Sequence, residues 1–303
     1  MNKITFLLAL KDRSNETKTW LKTNIFEEFD YFIADGSLDN TNEKIFENIN
    51  KKNIHYVRFP QDINYNIYYN KIYQSSLLIK TPYVMQIDND DYINPVGIKE
   101  CINFMEKNKK IDFIQGYISG VNIFDEKYFI SNFKEYDCQH LQSKISSERI
   151  YNLLNSYRIL WYSIYKKELF QKVWFHCKEI SCNNLPNNEY LHGLLSLTFG
   201  NFKFEKAVTY IRQTNSKNSV HRSISEEQMK KYQNEIYHVL EYIKKISNID
   251  KELDLKNIFD NKIPYKNKRN IFLKIIYYFL RKKSYSINNI RKINNLFCNL
   301  KNN

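Results

Sequence analysis

The run Asp88-Asn89-Asp90-Asp91 places three carboxylates within four residues. It follows directly on Tyr83-Val84-Met85-Gln86-Ile87, whose mostly apolar character reads as a short buried strand. A buried strand cannot carry three carboxylates inward, so Asp88, Asp90 and Asp91 must lie at its exposed C-terminal end. In an open α/β sheet that is the edge where ligands bind. Crowded carboxylates repel one another unless a cation neutralises them. Their oxygens suit a hard divalent ion, Mg²⁺ or Mn²⁺, which commonly also holds substrate phosphates. The alternative is an Asp/Asn-rich turn or helix cap, since both residue types favour such positions.

The elements that must position these acids are legible over residues 1–108. Ile4-Thr5-Phe6-Leu7-Leu8-Ala9-Leu10 reads as a buried central strand, followed by a helix that Ser14 or Asn15 can cap. Tyr31-Phe32-Ile33-Ala34 is a second strand, ended by the turn signal Asp35-Gly36-Ser37-Leu38-Asp39-Asn40. His55-Tyr56-Val57-Arg58-Phe59 is a third, and a helix over 64–79 leads to the strand before the acidic run. Pro95 opens the next helix, where its missing N–H costs nothing. The alternation β-α-β-α-β-α-β-α predicts an α/β, doubly wound, mainly parallel sheet with helices on both faces. Asp12, Asp35 and the 88–91 run then all fall at C-terminal strand ends.

Beyond residue 110 the pattern changes. Strand-like segments alternate over 112–133. Helices are expected over 148–156, 166–174 and 189–199, a polar loop over 183–188, and a strand over 202–212 that ends in Arg212. Residues 213–225 read as a polar, Ser/Asn-rich loop long enough to form a lid, and they carry His221. A charged helix is expected over 226–246. The domain division is 1–222 for the catalytic unit, split at 108/109, and 223–303 for a helical, basic C-terminal appendage. Within the latter, the apolar residues 271–280 are flanked by Lys266, Lys268, Arg269, Arg281, Lys282 and Lys283. That run is too short to span a bilayer, and its flanks suit an interfacial helix on anionic lipid; a helix docked on the domain is the alternative.

The chain has 303 residues and 43% hydrophobic content, enough for one large α/β domain with an appendage or for two small domains. Its net charge of +13 fits a polyanionic partner such as a nucleotide, a nucleic acid or an anionic membrane. Five unevenly spread cysteines argue against a disulfide framework and for a reducing compartment, hence a cytoplasmic protein, peripheral at most on the inner face of the cell membrane. The apolar N-terminus lacks a cleavage pattern and reads as a first strand. His176, Cys177 and Cys182 lack the spacing of a structural zinc site. No Walker-type loop and no Gly-x-Gly-x-x-Gly occurs, which disfavours P-loop and dinucleotide readings.

With this strand order, Asp35-Gly36-Ser37 and Asp88-Asn89-Asp90-Asp91 followed by Pro95, the chain resembles glycosyltransferase family 2 over residues 3–215. The resemblance implies the GT-A fold and a sugar transfer from a nucleoside-diphosphate donor, UDP-linked, to a hydroxyl of a glycan or lipid-linked acceptor in bacterial surface polysaccharide synthesis, with inversion at the anomeric carbon. It implies Mn²⁺ or Mg²⁺ at Asp88 and Asp90. His221 stands where related folds sometimes supply a third metal ligand. Asn70 looks like the family's Asn in the helix before the metal motif. Glu189 stands where the family has its general base, with Asn188 replacing an acidic neighbour; losing that charge lowers the carboxylate's proton affinity. Asp35 and Lys11, at neighbouring strand ends, suit base and ribose, and Arg212 suits the diphosphate. Each has a plainer alternative: a turn residue for Asp35, an acid suited to a helix dipole for Glu189, a solvated arginine for Arg212, a surface histidine for His221. Trp161 and Trp174 suit an acceptor pocket or the core. Two rival functions remain at this point: a nucleotidyltransferase, although Leu10-Lys11-Asp12-Arg13-Ser14 lacks the expected glycines, and a non-catalytic nucleic-acid-binding protein.

Overall fold

The computed structural model describes residues 2–124, 127–135, 137–215, 226–247 and 284–292. The first half runs β1 (Ile4–Leu10), α1 (Ser14–Asn24), β2 (Asp30–Asp35), α2 (Thr41–Glu47), β3 (Ile54–Arg58), α3 (Tyr65–Leu78), β4 (Tyr83–Ile87), β5 (Tyr92–Ile93) and α4 (Pro95–Lys107). Strands β4-β1-β2-β3 lie side by side and parallel. Register aligns their C-terminal ends: Leu10 pairs with Asp35, and Asp35 with Arg58. β4 is buried throughout, so its side chains enter the core and its polarity is discharged at the end, where the acids begin.

The caps follow from sequence. Asn64 accepts the N–H of Ile67 at 3.0 Å to start α3, and Asn94 accepts that of Val96 at 3.3 Å to start α4. At α1 the expectation of a Ser14 or Asn15 cap is corrected. Ser14 is already helical, and the chain leaves β1 through two left-handed residues, Asp12 (φ 57°) and Arg13 (φ 54°). Non-glycine residues adopt this region at a cost, and Asp tolerates it better than most. The kink aims Asp12 at the next turn, whose Leu38 N–H it accepts at 3.0 Å, and Arg13 at Asp90.

The second half is mixed. It runs β6 (Phe113–Phe124), β7 (Lys127–Glu135), α5 (Ser146–Asn155), β8 (Ile164–Lys166), α6 (Lys167–Glu179), α7 (Leu185–Phe199) and β9 (Phe202–Gln213). β8 joins antiparallel to β4 and carries the sheet to β6. Along one edge of β6, β8 gives way to antiparallel β7; along the other lies parallel β9. The far end of β9 returns to pair with β5, Ile93 opposite Tyr210 and Tyr92 opposite Ile211. That pairing brings a strand from the second half beside the acidic loop of the first. Gly97 permits it: a Cβ there would sit 2.0 Å from the Val208 carbonyl oxygen, so only glycine lets α4 lie on β9.

The C-terminal region contributes α8 (Glu226–Ile246), β10 (Ser284–Tyr285) and α9 (Ile287–Lys292). Ile236, Val239, Leu240 and Ile243 of α8 enter the main core, and β10 extends the sheet beyond β7. The region therefore also supplies a strand where only helix was expected. Residues 271–280 and His221 lie outside the described residues. Among the described residues no helix is long and apolar enough to cross a membrane.

Candidate active site

The loop after β4 carries the chemistry. One oxygen from each of Asp88, Asp90 and Asp91 lies within 4.8 Å of the others. Asp88 accepts the Tyr162 hydroxyl on Oδ2 at 2.5 Å, and its N–H donates to the Tyr210 hydroxyl at 3.1 Å. Asp91 accepts the Gln213 N–H on Oδ1 at 2.8 Å. Arg13 reaches Oδ2 of Asp90 at 3.2 Å. Asn89 turns inward, donating to the Arg13 carbonyl and the Thr17 hydroxyl, which pins the loop to α1. Burial, then the nearby Asp90, pushes the Asp88 carboxyl up; Tyr162, Arg13 and Arg212 pull the other way. Burial followed by both acidic neighbours pushes Asp91 well up.

This arrangement fits a hard divalent cation. Three carboxylates converge, and two of them hold their negative charge at a cost that a cation would remove. Among the described residues, Arg13 bonds Oδ2 of Asp90 and Tyr162 bonds Oδ2 of Asp88, which leaves Oδ1 of each for a ligand. Asp91 is the most enclosed of the three and faces β9, so Asp88 and Asp90 are the better donors.

Glu189 lies in the first turns of α7, and its Oε2 accepts the Tyr157 hydroxyl at 2.9 Å. Burial pushes its carboxyl above the usual glutamate range, opposed by Tyr157 and Arg212 and reinforced by Asp88. Removal of an acidic neighbour was expected to lower it; burial outweighs that effect. Arg212, near the end of β9, is felt by both Asp88 and Glu189, so these three residues share one electrostatic environment. The helix begins at Leu185, four residues before the expected start, because Asn184 caps it by accepting the Asn187 N–H at 2.9 Å and a proline fits its first turn. Asn188 has its own task. Fully buried, it accepts the Cys182 N–H at 2.9 Å and donates to the Cys182 carbonyl at 3.0 Å. An ionised aspartate could not donate the second bond. From α8, Glu235 accepts the side-chain amides of Asn183, Asn184 and Asn187 at 3.0, 2.6 and 2.8 Å, fixing the loop that launches α7.

Asp35 and Lys11 lie along the same sheet edge. Asp35 is fully buried; Ser37 donates both its N–H and its hydroxyl to Oδ1, at 2.9 and 2.5 Å, and Tyr56 donates to Oδ2 at 2.6 Å. Arg58 stands 3.7 Å away. Gly36 is required next to it because Asp62 packs where a side chain would be: a Cβ would sit 2.5 Å from the Asp62 Cγ. Lys11 is exposed at the end of β1, and Asn70 is exposed on α3. Its neighbour Lys71 is buried, paired with Asp62 and donating to the Leu10 carbonyl at 2.8 Å. Trp174 is fully buried and meets Trp161 edge-on at 5.2 Å, in the core. His176 shares a 2.8 Å hydrogen bond with the Tyr242 hydroxyl of α8, and Cys177 is buried.

Sequence reasoning missed Arg13, Tyr157, Tyr162 and Tyr210. Arg13 had a signal in its place just past the first strand. The tyrosines had none among 24 in the chain.

With this geometry in hand, the comparison with solved structures can be placed. S. aureus TarS 1–349 superposes with a TM-score of 0.54 at 16% identity, covering 85% of this chain and 69% of that one. The same TarS fragment in complex with UDP gives 0.51 at 16% identity, covering 78% and 65%. This is a glycosyltransferase fold. No family model matches the sequence, and no curated protein matches it either.

Proposed function

We propose that the chain is a metal-assisted glycosyltransferase of the family 2 type. It would move a hexosyl unit from a UDP-linked donor to a hydroxyl of a glycan or lipid-linked acceptor in bacterial surface polysaccharide synthesis. The observation that carries this reading is the convergence of Asp88, Asp90 and Asp91 at the strand-end edge of the sheet, one oxygen of each within 4.8 Å of the others. A structural neighbour of the same fold has been solved with UDP, which supports the donor class.

A divalent cation, Mn²⁺ or Mg²⁺, held by Asp88 and Asp90 would neutralise charge on a departing diphosphate. Arg212 adds positive charge beside them, near the seat of the diphosphate. The ends of β1 and β2, with Lys11 exposed and Asp35 holding the turn rigid, offer the seat for base and ribose, and Asn70 lies on the adjoining α3. Glu189, with its raised proton affinity, is suited to take the proton of an acceptor hydroxyl. That oxygen then bonds to the anomeric carbon as the bond to the diphosphate breaks, and the electron pair leaves with the diphosphate. One displacement inverts the anomeric centre. The site of action is the cytoplasm, peripheral to the inner face of the membrane where a lipid-linked acceptor would lie.

Product analysis with a panel of nucleotide-sugars tests this. Release of a nucleoside diphosphate, dependent on Mn²⁺ and abolished in Asp90→Asn with the fold intact, is expected. Release of pyrophosphate would assign a nucleotidyltransferase instead. Full turnover in Asp90→Asn would remove the metal role.

A further inference from the structure

Two tyrosines from distant parts of the chain meet the acidic loop from one side. Tyr162 precedes β8 and Tyr210 lies on β9, yet their rings stack at 4.2 Å with 14° between planes. Both are buried, at 6% and 0% exposure, and both hydroxyls are spent on the loop. Tyr162 donates to Oδ2 of Asp88 at 2.5 Å. Tyr210 accepts the Asp88 N–H at 3.1 Å.

We infer that Tyr162 and Tyr210 are positioning residues that hold Asp88 in the arrangement that takes a divalent cation. This rests on the cation reading above. The choice of donor matters. A lysine or arginine on Asp88 would order it equally well but would offset part of the charge that draws a cation; a neutral hydroxyl orders the carboxylate and leaves its charge in place. Arg13 on Asp90 shows the other arrangement within the same loop, a cation already paired with a carboxylate. The stack supplies rigidity, since neither ring can swing its hydroxyl away without displacing the other. By accepting the Asp88 N–H, Tyr210 also fixes the backbone of that residue. Outer partners of this kind orient metal-binding carboxylates, and their loss typically weakens metal affinity about 10- to 100-fold.

The test is Mn²⁺ binding, read from the electron paramagnetic resonance of the free ion, on the full chain with saturating UDP. Wild type, Tyr162→Phe and Tyr210→Phe are compared, with melting in the absence of metal as the fold control. The phenyl ring keeps the stack and removes only the hydroxyl. The expected result is an affinity for Mn²⁺ lower by about 10- to 100-fold in each variant. A merely structural role would lower melting and leave Mn²⁺ affinity within twofold of wild type, and that result in either variant overturns the inference. Wild type that binds no Mn²⁺ overturns the cation site itself, and this inference with it. A second readout needs no variant: Mn²⁺ should perturb the tyrosine absorption of wild type, because Tyr162 and the cation share a carboxylate. A spectrum unchanged through a titration that saturates the protein also overturns the inference.

Discussion

Asp35 and the 88–91 loop sit at the ends of nearby strands, and both are acidic, but they are satisfied in different ways. Every partner of Asp35 comes from its own half of the sheet: Ser37, Tyr56 and the more distant Arg58. Both of its oxygens are engaged, and the turn it organises is complete without a ligand. The 88–91 loop draws its partners from α1, from the segment before β8 and from β9, and still holds carboxylates whose proton affinity is raised by burial and by one another. A buried acid with enough donors is a structural part. A cluster of acids with too few keeps a deficit that a cation would relieve.

The largest expected effect belongs to Glu189. Glu189→Gln should lower kcat by about 10²–10⁴-fold, the usual worth of a positioned base. In wild type, the acidic limb of the kcat–pH profile should lie above the ordinary glutamate value of 4.5, since burial raises the carboxyl. The sign for stability follows: ionising a group whose folded pKa is raised costs stability, a cost absent below pH 4.5 and complete once pH passes the folded pKa. Glu189→Gln should therefore melt higher than wild type at neutral pH, and the difference should close as pH falls.

Next in size, Asp90→Asn should reduce turnover on the order of 10²–10³-fold, the scale of removing one stabiliser of developing charge. Divalent-ion dependence should disappear with it. The comparison between the two acidic sites is then sharpened by stability. Asp35→Ala orphans buried donors and should destabilise the fold by about 1–3 kcal/mol in urea unfolding. Asp88→Asn, measured without divalent ions at neutral pH, should melt no lower than wild type, because it relieves repulsion in an overcrowded loop. If both substitutions destabilise alike, the distinction between a satisfied and an unsatisfied acid is wrong. The smallest effect belongs to Glu235→Gln, which weakens one of two acceptor oxygens shared by three asparagines; a loss of about 0.5–1.5 kcal/mol is expected from calorimetry.

The parallel half was legible because its signals are local. An apolar strand followed at once by acids, Asn64 and Pro95 at helix starts, and the Asp35-Gly36-Ser37 turn each place themselves without knowing what lies elsewhere. α8 was equally plain, its apolar period intact over a charged helix. The second half was less so. β8 is three residues long and β5 two, too short to carry a period. α7 was read as starting late because its first turn is polar, and polar first turns look like loops until the cap is seen. Glu189 was found only through the resemblance, and its partner Tyr157 not at all. Tyr162 and Tyr210 show the general limit: their importance lies in meeting Asp88 across the sheet, and long-range pairing leaves no mark on local composition. Lys71 is similar, since nothing beside it announces a buried ion pair with Asp62.

The central claim is that the 88–91 loop binds a divalent cation together with a nucleoside diphosphate. Thermal unfolding with UDP and Mn²⁺, separately and together, tests it most directly, since a ligand that binds only the folded chain at 100 times its Kd adds about 2.7 kcal/mol. The account predicts that wild type gains its large rise in Tm only when both are present, and that Asp90→Asn does not. An equal rise in Asp90→Asn, or none in wild type with both ligands, would contradict it.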